Sequence, residues 1–191
     1  MSHHFYWMYG LHAVHFALEN HSRKIYEVLL LDGQDWDDVI AVCKRRKIPF
    51  NVVKKAEFFK NASQDWVHQG ILAKCAPLPT LDIEDVDGKT YLVLDHVTDP
   101  HNIGAILRTA AAFKVSAVIM QDKNSPEENG ALAKTACGAL EIIPIIKTVN
   151  LSRTLEDLKK DGFWVVGLDE RGQQTIDQVD LWTDWIRRVA A

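Results

Sequence analysis

The sequence predicts a two-domain α/β protein, in which a small N-terminal α/β domain precedes a second domain built on a parallel sheet. Three observations lead to this prediction. The chain has 191 residues, which is enough for one large or two small domains. Residues 77–89 are rich in proline and acid and show no sustained apolar face, and strand-like and helix-like segments alternate regularly after residue 90. We therefore expect domains at residues 1–76 and 90–191, joined by a linker at 77–89.

Composition excludes several classes of protein. Hydrophobic residues make up 47% and charged residues 25% of the chain, as in ordinary globular proteins and unlike disordered chains. Cys43, Cys75 and Cys137 show no spacing typical of a zinc site, so we expect reduced thiols in a cytoplasmic protein and no bound metal. Neither a membrane-spanning run nor a secretion signal is visible, so no membrane partner is expected. The net charge of −4 leaves nucleic-acid binding open, because a selective binder needs only a local basic face.

The N-terminal half predicts a helix, a strand, a second helix and a short strand in turn. Apolar residues recur at helical spacing over residues 10–20 and 35–47, and strand-like runs follow at 26–31 and 50–53. The second helix ends in a dense basic run, formed by Lys44, Arg45, Arg46 and Lys47. This run either contacts RNA phosphates or is a solvated helix end placed favourably against the helix dipole.

The second half predicts strands that alternate with helices. The strands are expected at residues 91–94, 117–120, 142–146 and 164–168, and the helices at about 102–113, 126–136 and 151–160. Ser125 followed by Pro126 is typical of a helix start, while Gly138 and Gly162 are placed as helix stops. This alternation predicts right-handed crossovers and a parallel sheet.

The segment that follows the strand at 91–94 carries the strongest functional signal. Asp99 and Pro100 form a rigid turn, Asn102 can cap the next helix, Gly104 lets a backbone or ligand approach closely, and Arg108 follows six residues after Asn102. Ligands of open parallel sheets bind at the carboxyl ends of strands, so we expect a polar pocket with one fixed cation here. The spacing alone also fits a merely capping asparagine and a solvated arginine. No glycine-rich nucleotide-binding pattern occurs, which disfavours a dehydrogenase or a nucleotidase.

The pattern D-x-V-x-D-P-x-N-x-G-A-I-x-R-T-A at residues 95–110 resembles the first signature motif of the SpoU (TrmH) family of RNA ribose methyltransferases, whose catalytic fold is a knotted α/β sheet. The similarity continues through residues 134–141, 150–154 and 164–167. Residues 9–70 are similar to the RNA-binding domain of the branch that methylates a guanosine ribose in large-subunit ribosomal RNA. The resemblance therefore covers about residues 9–180.

The resemblance implies methyl transfer from S-adenosylmethionine to a ribose 2′-hydroxyl, with a guanosine of 23S ribosomal RNA as the expected target. It assigns Asn102 to the catalytic pocket and Arg108 to the ribose that receives the methyl group. In family accounts the arginine helps to remove the hydroxyl proton. A guanidinium is hard to deprotonate, however, so Arg108 can instead orient the hydroxyl and stabilise the developing alkoxide. Gly167 and Leu168 match the part of the family fold that lines the cofactor pocket, although a packed strand that ends in a turn also explains them.

Residues 182–191 match neither of the two motifs that come next in the family and that form the knot and most of the cofactor pocket. We therefore expect an incomplete, truncated methyltransferase domain, and the alternative to an enzyme is a non-catalytic RNA-binding remnant. Trp182 and Trp185 fit either a short amphipathic helix over a sheet edge or an unselected tail. The family is homodimeric, but the missing motifs build much of its interface, so a dimer of this chain is in question.

Four charged or titratable residues near the motif are left out of the predicted site. His96 and His101 flank the motif loop, and histidine is the side chain that titrates nearest to neutral pH. Neither position is fixed in the family motif. Asp95 and Asp99 are interpreted as structural residues, the first ending a strand and the second accepting hydrogen bonds from loop amides, rather than as a metal-binding pair.

Overall fold

A computed structural model describes residues 5–123, 125–168, 174–175, 178 and 187–190. These residues form two compact units. The described residues of the first unit fall within Met1–Pro79, Asp99–Thr109 and Pro126–Ile142, and those of the second within Thr80–Thr98, Ala110–Ser125 and Ile143–Ala191. The domain boundaries at residues 76 and 90 remain a prediction, because the compact units follow three-dimensional contacts rather than the order of the chain.

A four-stranded sheet organises the first unit. Its strands are β1 (Tyr6–Tyr9), β2 (Ile25–Leu31), β3 (Phe50–Val53) and β4 (Ile71–Cys75). They lie in the order β1-β4-β2-β3, with β4 antiparallel to both of its neighbours and β2 parallel to β3. Strands β1 and β4 were not predicted from the sequence; both are short, and β1 is rich in the aromatic residues that strands favour.

Helices cover this sheet by burying their apolar sides. The helices of this part of the chain are α1 (Leu11–Glu19), α2 (Asp37–Arg46) and the short α3 (Lys55–Phe58). In α1 the buried residues are Ala13, Val14, Ala17 and Leu18, which recur at the three- and four-residue spacing of one helix face. Lys47 adopts the left-handed conformation at the end of α2 (φ 56°), so the predicted basic run begins inside the helix and ends on its C-cap.

Two further helices follow β-strands of the second half: α4 (Pro100–Ala112) and α5 (Gly130–Ala136). The prediction that Ser125 begins a helix at residue 126 is wrong. The side chain of Asn129 caps α5 instead and accepts hydrogen bonds from the backbone amides of Ala131 and Leu132, both at 3.0 Å. Gly138, at φ 94°, follows the C-cap of α5 as predicted for a helix stop.

A buried ionic cluster lies within the first unit. The guanidinium of Arg23 is fully inaccessible and pairs with Glu128 and with Glu141, whose Oε1 lies 2.6 Å from Nη2. Arg23 also donates to the backbone oxygen of Ala76 at 2.8 Å, and the hydroxyl of Tyr6 donates to Glu128. Burial, reinforced by the negative charge of Glu128, raises the pKa of Tyr6. The cluster thus joins sequence segments more than a hundred residues apart.

The second unit contains the predicted parallel sheet. Its strands are β5 (Thr90–Leu94), β6 (Ala117–Gln121), β7 (Ile145–Thr148), β8 (Phe163–Val166) and β9 (Arg187–Ala190), and every pair is parallel. The strand order is β7-β6-β5-β9-β8. The strands that follow β5 in sequence therefore lie on both sides of it, β6 and β7 on one side and β9 and β8 on the other. This makes the carboxyl end of β5 a topological switch point, the usual place for a ligand in such sheets.

The core of this sheet lies under α6 (Leu151–Lys160). Tyr91, Val93 and Ile119 pack there with Leu158 and Phe163. The predicted strand at residues 142–146 is displaced to 145–148, because Cys137 and Gly138 take positive φ values and a 3₁₀ turn over Ala139–Glu141 follows them. The apolar Ile142 is exposed as a result.

The end of the chain contributes a strand rather than a helix where it is described. Residues 187–190 form β9, so an amphipathic helix does not extend through these four residues. Trp182 and Trp185 lie outside the described residues. Within the described part of the chain, no helix is long and apolar enough to cross a membrane.

Candidate functional site

The motif helix α4 begins two residues earlier than predicted, and its cap is Asp99 rather than Asn102. The Oδ1 atom of Asp99 accepts a hydrogen bond from the backbone amide of His101 at 2.9 Å, and its carbonyl accepts one from Ile103 at 3.1 Å. This confirms the interpretation of Asp99 as an acceptor for neighbouring amides. The capping interpretation of Asn102 is wrong, because Asn102 is the third residue of the helix and its side chain is available for another role.

The two predicted catalytic residues are both exposed on α4. Ile103 and Leu107 are fully buried, whereas Asn102 and Arg108 face solvent. Six residues separate Asn102 and Arg108, which places them about 120° apart around the helix axis. The structure therefore puts both residues on one helix but on adjacent rather than identical faces.

Gly104 lets α4 approach α5 closely. A Cβ atom at this position would lie 2.8 Å from the backbone oxygen of Leu132, 2.8 Å from Cβ of Thr135 and 3.0 Å from the amide nitrogen of Ala136. Two of these neighbours are backbone atoms that cannot move aside. The expectation that Gly104 permits close approach is confirmed, and the approaching group is the backbone of α5.

His101 and Thr135 form a contact that was not predicted from the sequence. The Nδ1 atom of His101 lies 3.1 Å from Oγ1 of Thr135. This hydrogen bond joins α4 to α5 across the close approach at Gly104. The only sequence signal for it was the position of His101 beside Asn102, which spacing alone could not link to a residue 34 positions later.

At the edge of the second sheet, Asp95 and His96 follow β5, and Gly167 and Leu168 follow β8. One strand, β9, separates β5 from β8. Since the strands are parallel, these two pairs lie at the same edge of the sheet, beside the switch point. His96 has a positive φ of 57°, and its Nδ1 lies 2.8 Å from Oδ1 of Asp95.

The sequence predicted Gly167 and Leu168 inside a strand at residues 164–168. In the structure both residues lie just beyond Val166, the last residue of β8. Both are exposed, and Leu168 is 59% accessible. None of the residues that the structure describes has an atom within 4 Å of a Cβ placed at Gly167. With respect to these residues the space beside this backbone is open, which is compatible with a ligand that lies against it.

The predicted RNA-binding run divides into residues with different surroundings. Lys44, Arg45 and Lys47 are exposed, and Arg45 makes a solvent-exposed ion pair with Glu19 at 3.3 Å. Arg46 instead donates to two carbonyl oxygens near the end of α1, that of Ala17 at 3.2 Å and that of Leu18 at 2.6 Å. Arg46 thus caps the C-terminus of α1, a role that neither prior interpretation of the run included.

A cleft of about 210 Å³ lies in the second unit, between the 3₁₀ turn Ile83–Asp85, β7 and α6. Acidic side chains dominate the charged part of its lining: Asp82, Glu84, Asp157 and Asp161. None of the predicted site residues lines it. Within the ranges that the structure describes, no group of three or more His, Cys, Asp or Glu residues could hold a metal ion.

The chain belongs to the SpoU rRNA methylase family. The model of that family matches residues 89–190, and the model for RNA 2′-O ribose methyltransferase substrate binding matches residues 7–81. The family that the motif at residues 95–110 resembles is thereby confirmed.

Curated relatives within the family are more than a third identical to this chain over the aligned residues. The 23S rRNA (guanosine-2′-O-)-methyltransferase RlmB of Pseudomonas putida is 37% identical over 185 residues, which cover 91% of this chain and 74% of the relative. RlmB of Escherichia coli K12 is 36% identical over 181 residues, which cover 90% of this chain and 74% of the relative.

Solved structures confirm the fold. The SpoU methyltransferase AviRb from Streptomyces viridochromogenes aligns with a TM-score of 0.76 at 16% identity and covers 97% of this chain and 70% of its own. An AdoMet-bound rRNA methyltransferase from Sinorhizobium meliloti aligns with a TM-score of 0.76 at 20% identity, covering 97% of this chain and 69% of its own. At these identities the similarity shows a shared α/β fold, in agreement with the predicted fold class.

Proposed function

We propose that this chain is a cytoplasmic RNA methyltransferase that transfers a methyl group from S-adenosylmethionine to the ribose 2′-hydroxyl of a guanosine in 23S ribosomal RNA. The observation that carries the proposal is the motif helix α4. This helix follows the switch-point strand β5 and presents Asn102 and Arg108 to solvent. Membership of the SpoU rRNA methylase family supports the same reaction class.

In this proposal Arg108 acts on the ribose oxygen. Methylation requires the hydroxyl oxygen to become more negative as its proton leaves. A guanidinium offers several N–H donors in a fixed plane and stays charged, so it orients the hydroxyl and stabilises the developing alkoxide. Asn102, with one acceptor and two donors on its amide, holds the nucleotide in position for this contact.

The methyl donor is proposed to lie against Gly167 and Leu168. Bound S-adenosylmethionine supplies an electrophilic methyl group on a positively charged sulfur. Gly167 has open space beside it as far as the described residues are concerned, and both residues are exposed, which fits a ligand at this edge of the sheet. Gly167 and Leu168 would hold one side of the cofactor at the end of β8.

The RNA-binding part of the proposal rests on residues 7–81, which match the substrate-binding model. Lys44, Arg45 and Lys47 are exposed on this part of the chain and are proposed to contact phosphates. Arg46 supports them indirectly, because its hydrogen bonds to α1 fix the end of α2. The ribosomal nature of the RNA follows from the relatives' reaction rather than from any base-reading residue in this chain.

Transfer of a labelled methyl group tests this function. The purified chain is incubated with methyl-labelled S-adenosylmethionine and with 23S rRNA transcribed in vitro, which carries no modification. We expect label in 23S rRNA and none in 16S rRNA transcribed in the same way. If the chain bound 23S rRNA but transferred no labelled methyl group to it, the proposed activity would be wrong. The chain would then be a non-catalytic RNA-binding protein.

A further inference from the structure

Three strands of the first sheet begin at the same end of that sheet. Strand β1 is antiparallel to β4, β4 is antiparallel to β2, and β2 is parallel to β3, so β1, β2 and β3 run in one direction. The register agrees with this, because Tyr6 of β1 and Ile25 of β2 both lie opposite Cys75 of β4. Residues that precede or open these three strands therefore lie at one end of the sheet in the first unit.

Three aromatic residues, Phe5, Trp7 and Tyr26, lie at this end, and we call them the aromatic end of the sheet. Phe5 directly precedes β1 and is 46% exposed, while Trp7 and Tyr26 are half-buried. Trp7 lies at the margin of a core cluster, because Tyr9, two residues further along the same face of β1, is buried there with Phe58. All three residues of the aromatic end therefore keep surface that is accessible to solvent.

Lysine ammonium groups lie over these rings. The Nζ atom of Lys74 is 4.1 Å from the ring centroid of Phe5 and 5.8 Å from that of Trp7, and Nζ of Lys24 is 5.0 Å from the ring centroid of Tyr26. These distances are within the range of cation–π attraction. A surface that combines aromatic rings with cations is typical of proteins that bind single-stranded nucleic acid, in which bases stack on the rings and cations follow the backbone.

The basic run of α2 reaches the same end of the sheet. Three residues separate the end of α2 from the start of β3, so the exposed Lys44, Arg45 and Lys47 lead into the amino end of that strand. Strands β1 and β3 are the two edges of the sheet, which places them about 14 Å apart at the usual spacing between strands. A single RNA strand of about four nucleotides spans this distance at a rise of about 3.4 Å per nucleotide.

We propose that the aromatic end binds unpaired RNA bases by stacking while the basic run holds the adjacent phosphates; this inference rests on the proposed function. Sheets that recognise single-stranded RNA stack about two or three bases on aromatic side chains in this way. Glu27 pairs with Lys74 at 3.5 Å and keeps it over the rings, so the exposed Lys24 joins the basic run as a phosphate contact.

The chemistry of this surface defines its partner. The cations favour a polyanion over an apolar protein surface as the occupant. Bases inside a duplex are already stacked on each other and cannot reach a protein ring, so the partner is an unpaired loop or end of the RNA. Every base has a π face, and the contact therefore tolerates any sequence.

Binding of a fluorescent ten-nucleotide oligouridylate at fixed salt tests the stacking without any methyl donor. We expect the wild-type chain to bind this single strand at least about tenfold more tightly than a GC-rich RNA duplex of the same length. Phe5→Leu, which keeps an apolar side chain but removes the ring, should weaken binding of the single strand by about fivefold or more. Phe113→Leu is the matched control, because Phe113 is 78% exposed and lies in the second unit; its affinity should stay within about twofold of wild type.

Trp7→Leu is expected to weaken binding to a similar degree. Its matched control is Trp164→Leu, because Trp164 is 59% exposed on β8 of the second unit. If circular dichroism shows that Trp7→Leu does not fold, the exposed Phe5 still decides the question. Photo-crosslinking with 4-thiouridine in the same oligonucleotide should label the peptide that contains Phe5 and Trp7, and labelling confined to other peptides overturns the proposal.

Three binding results also overturn the proposal. The first is a wild-type chain that does not bind the single strand or that binds the duplex equally well. The second is equal affinity of Phe5→Leu and Phe113→Leu for the single strand. The third is a wild-type dimer in sedimentation that Phe5→Leu abolishes while RNA binding is kept, which would make the aromatic end a contact between copies of this chain. A chain that binds the oligouridylate through Phe5 but transfers no methyl group contradicts the proposed function and supports the stacking surface.

Discussion

At the scale of single residues, the three cysteines differ in exposure: Cys43 and Cys75 are buried, and Cys137 is exposed. Burial raises the pKa of Cys75 to about 12 and also raises the pKa of Cys43. Cys137 is exposed at the end of α5. Since the thiolate is the reactive species, a raised pKa and burial both slow modification of Cys43 and Cys75.

We therefore predict that one thiol per native chain reacts with a water-soluble disulfide reagent at pH 8, and that all three react after unfolding. Spectrophotometric titration of the released thiol measures this. The Cys137→Ser variant should show no fast-reacting thiol. A fast reaction of two or more thiols in the native wild type would show that the buried cysteines are more accessible than the structure indicates.

Gly104 permits a second prediction at the residue scale. Gly104→Ala gains helix propensity of up to about 1 kcal/mol, but its Cβ would press on two backbone atoms of α5, and overpacking of this kind costs about 1–3 kcal/mol. We expect a net loss of stability in urea unfolding. Gly167→Ala is the matched control, because its Cβ meets no atom of the described part of the chain within 4 Å, and it should change stability by less than about 0.5 kcal/mol. Equal stability of the two variants would contradict the close packing of α4 and α5.

The residue scale also shows what sequence could and could not predict. The turn at Asp99 and Pro100, the exposed Arg108 and the need for glycine at 104 follow from local rules. Whether Asp99 or Asn102 caps α4 depends on the residue at which the helix begins. A prediction of that residue that is wrong by two positions therefore assigns the cap to the wrong side chain. The partners of Arg46 and His101 come from elements 28 and 34 residues away, which local spacing cannot reveal.

At the scale of elements, the Arg23 cluster ties the strands of the first sheet to the segment around α5. Arg23→Met keeps a side chain of similar length but leaves Glu141, whose side chain is only 3% accessible, without its cation. Removal of one partner from a buried ion pair costs about 3–5 kcal/mol. We predict a loss of this size in the free energy of unfolding, measured by urea denaturation.

Arg45→Met provides the control for this prediction. The ion pair of Arg45 with Glu19 is exposed on both sides, and such pairs contribute about 0–1 kcal/mol. If Arg23→Met were no less stable than Arg45→Met, the cluster would not hold the first unit together. No sequence pattern indicates the cluster, because its members are spread over residues 6–141 and each alone resembles an ordinary surface residue.

The end of α2 yields a prediction for RNA binding. Each phosphate contact that is lost lowers the steepness with which affinity falls as salt rises. The double variant Lys44→Glu/Lys47→Glu should bind 23S rRNA more weakly. The slope of log affinity against log salt concentration should be smaller by about two, measured by filter binding between low and moderate salt. Lys159→Glu/Lys160→Glu, at the exposed end of α6, is the charge-matched control. An identical salt slope in both double variants would place the phosphate contacts elsewhere.

At the scale of the whole molecule, periodicity and alternation were sufficient to predict an α/β chain with a parallel sheet after residue 90. Strands of that sheet are buried apolar runs between helices, and such runs are visible in a sequence. The position of β9 between β5 and β8 was not visible, because strand order depends on pairing between segments far apart in the chain. The short strands β1 and β4 were missed for the same reason: their partners, rather than their own sequences, define them.

The central claim is that this chain methylates the ribose of RNA through Arg108, and mass spectrometry of nucleosides tests it most directly. Unmodified 23S rRNA is incubated with the wild-type chain or with Arg108→Lys and S-adenosylmethionine, then digested completely and separated. Lysine keeps the charge but lacks the planar set of donors, so it should not replace arginine. We expect 2′-O-methylguanosine with the wild-type chain and at least about a hundredfold less with Arg108→Lys. A methyl group on a base, or equal 2′-O-methylguanosine from both proteins, would contradict it.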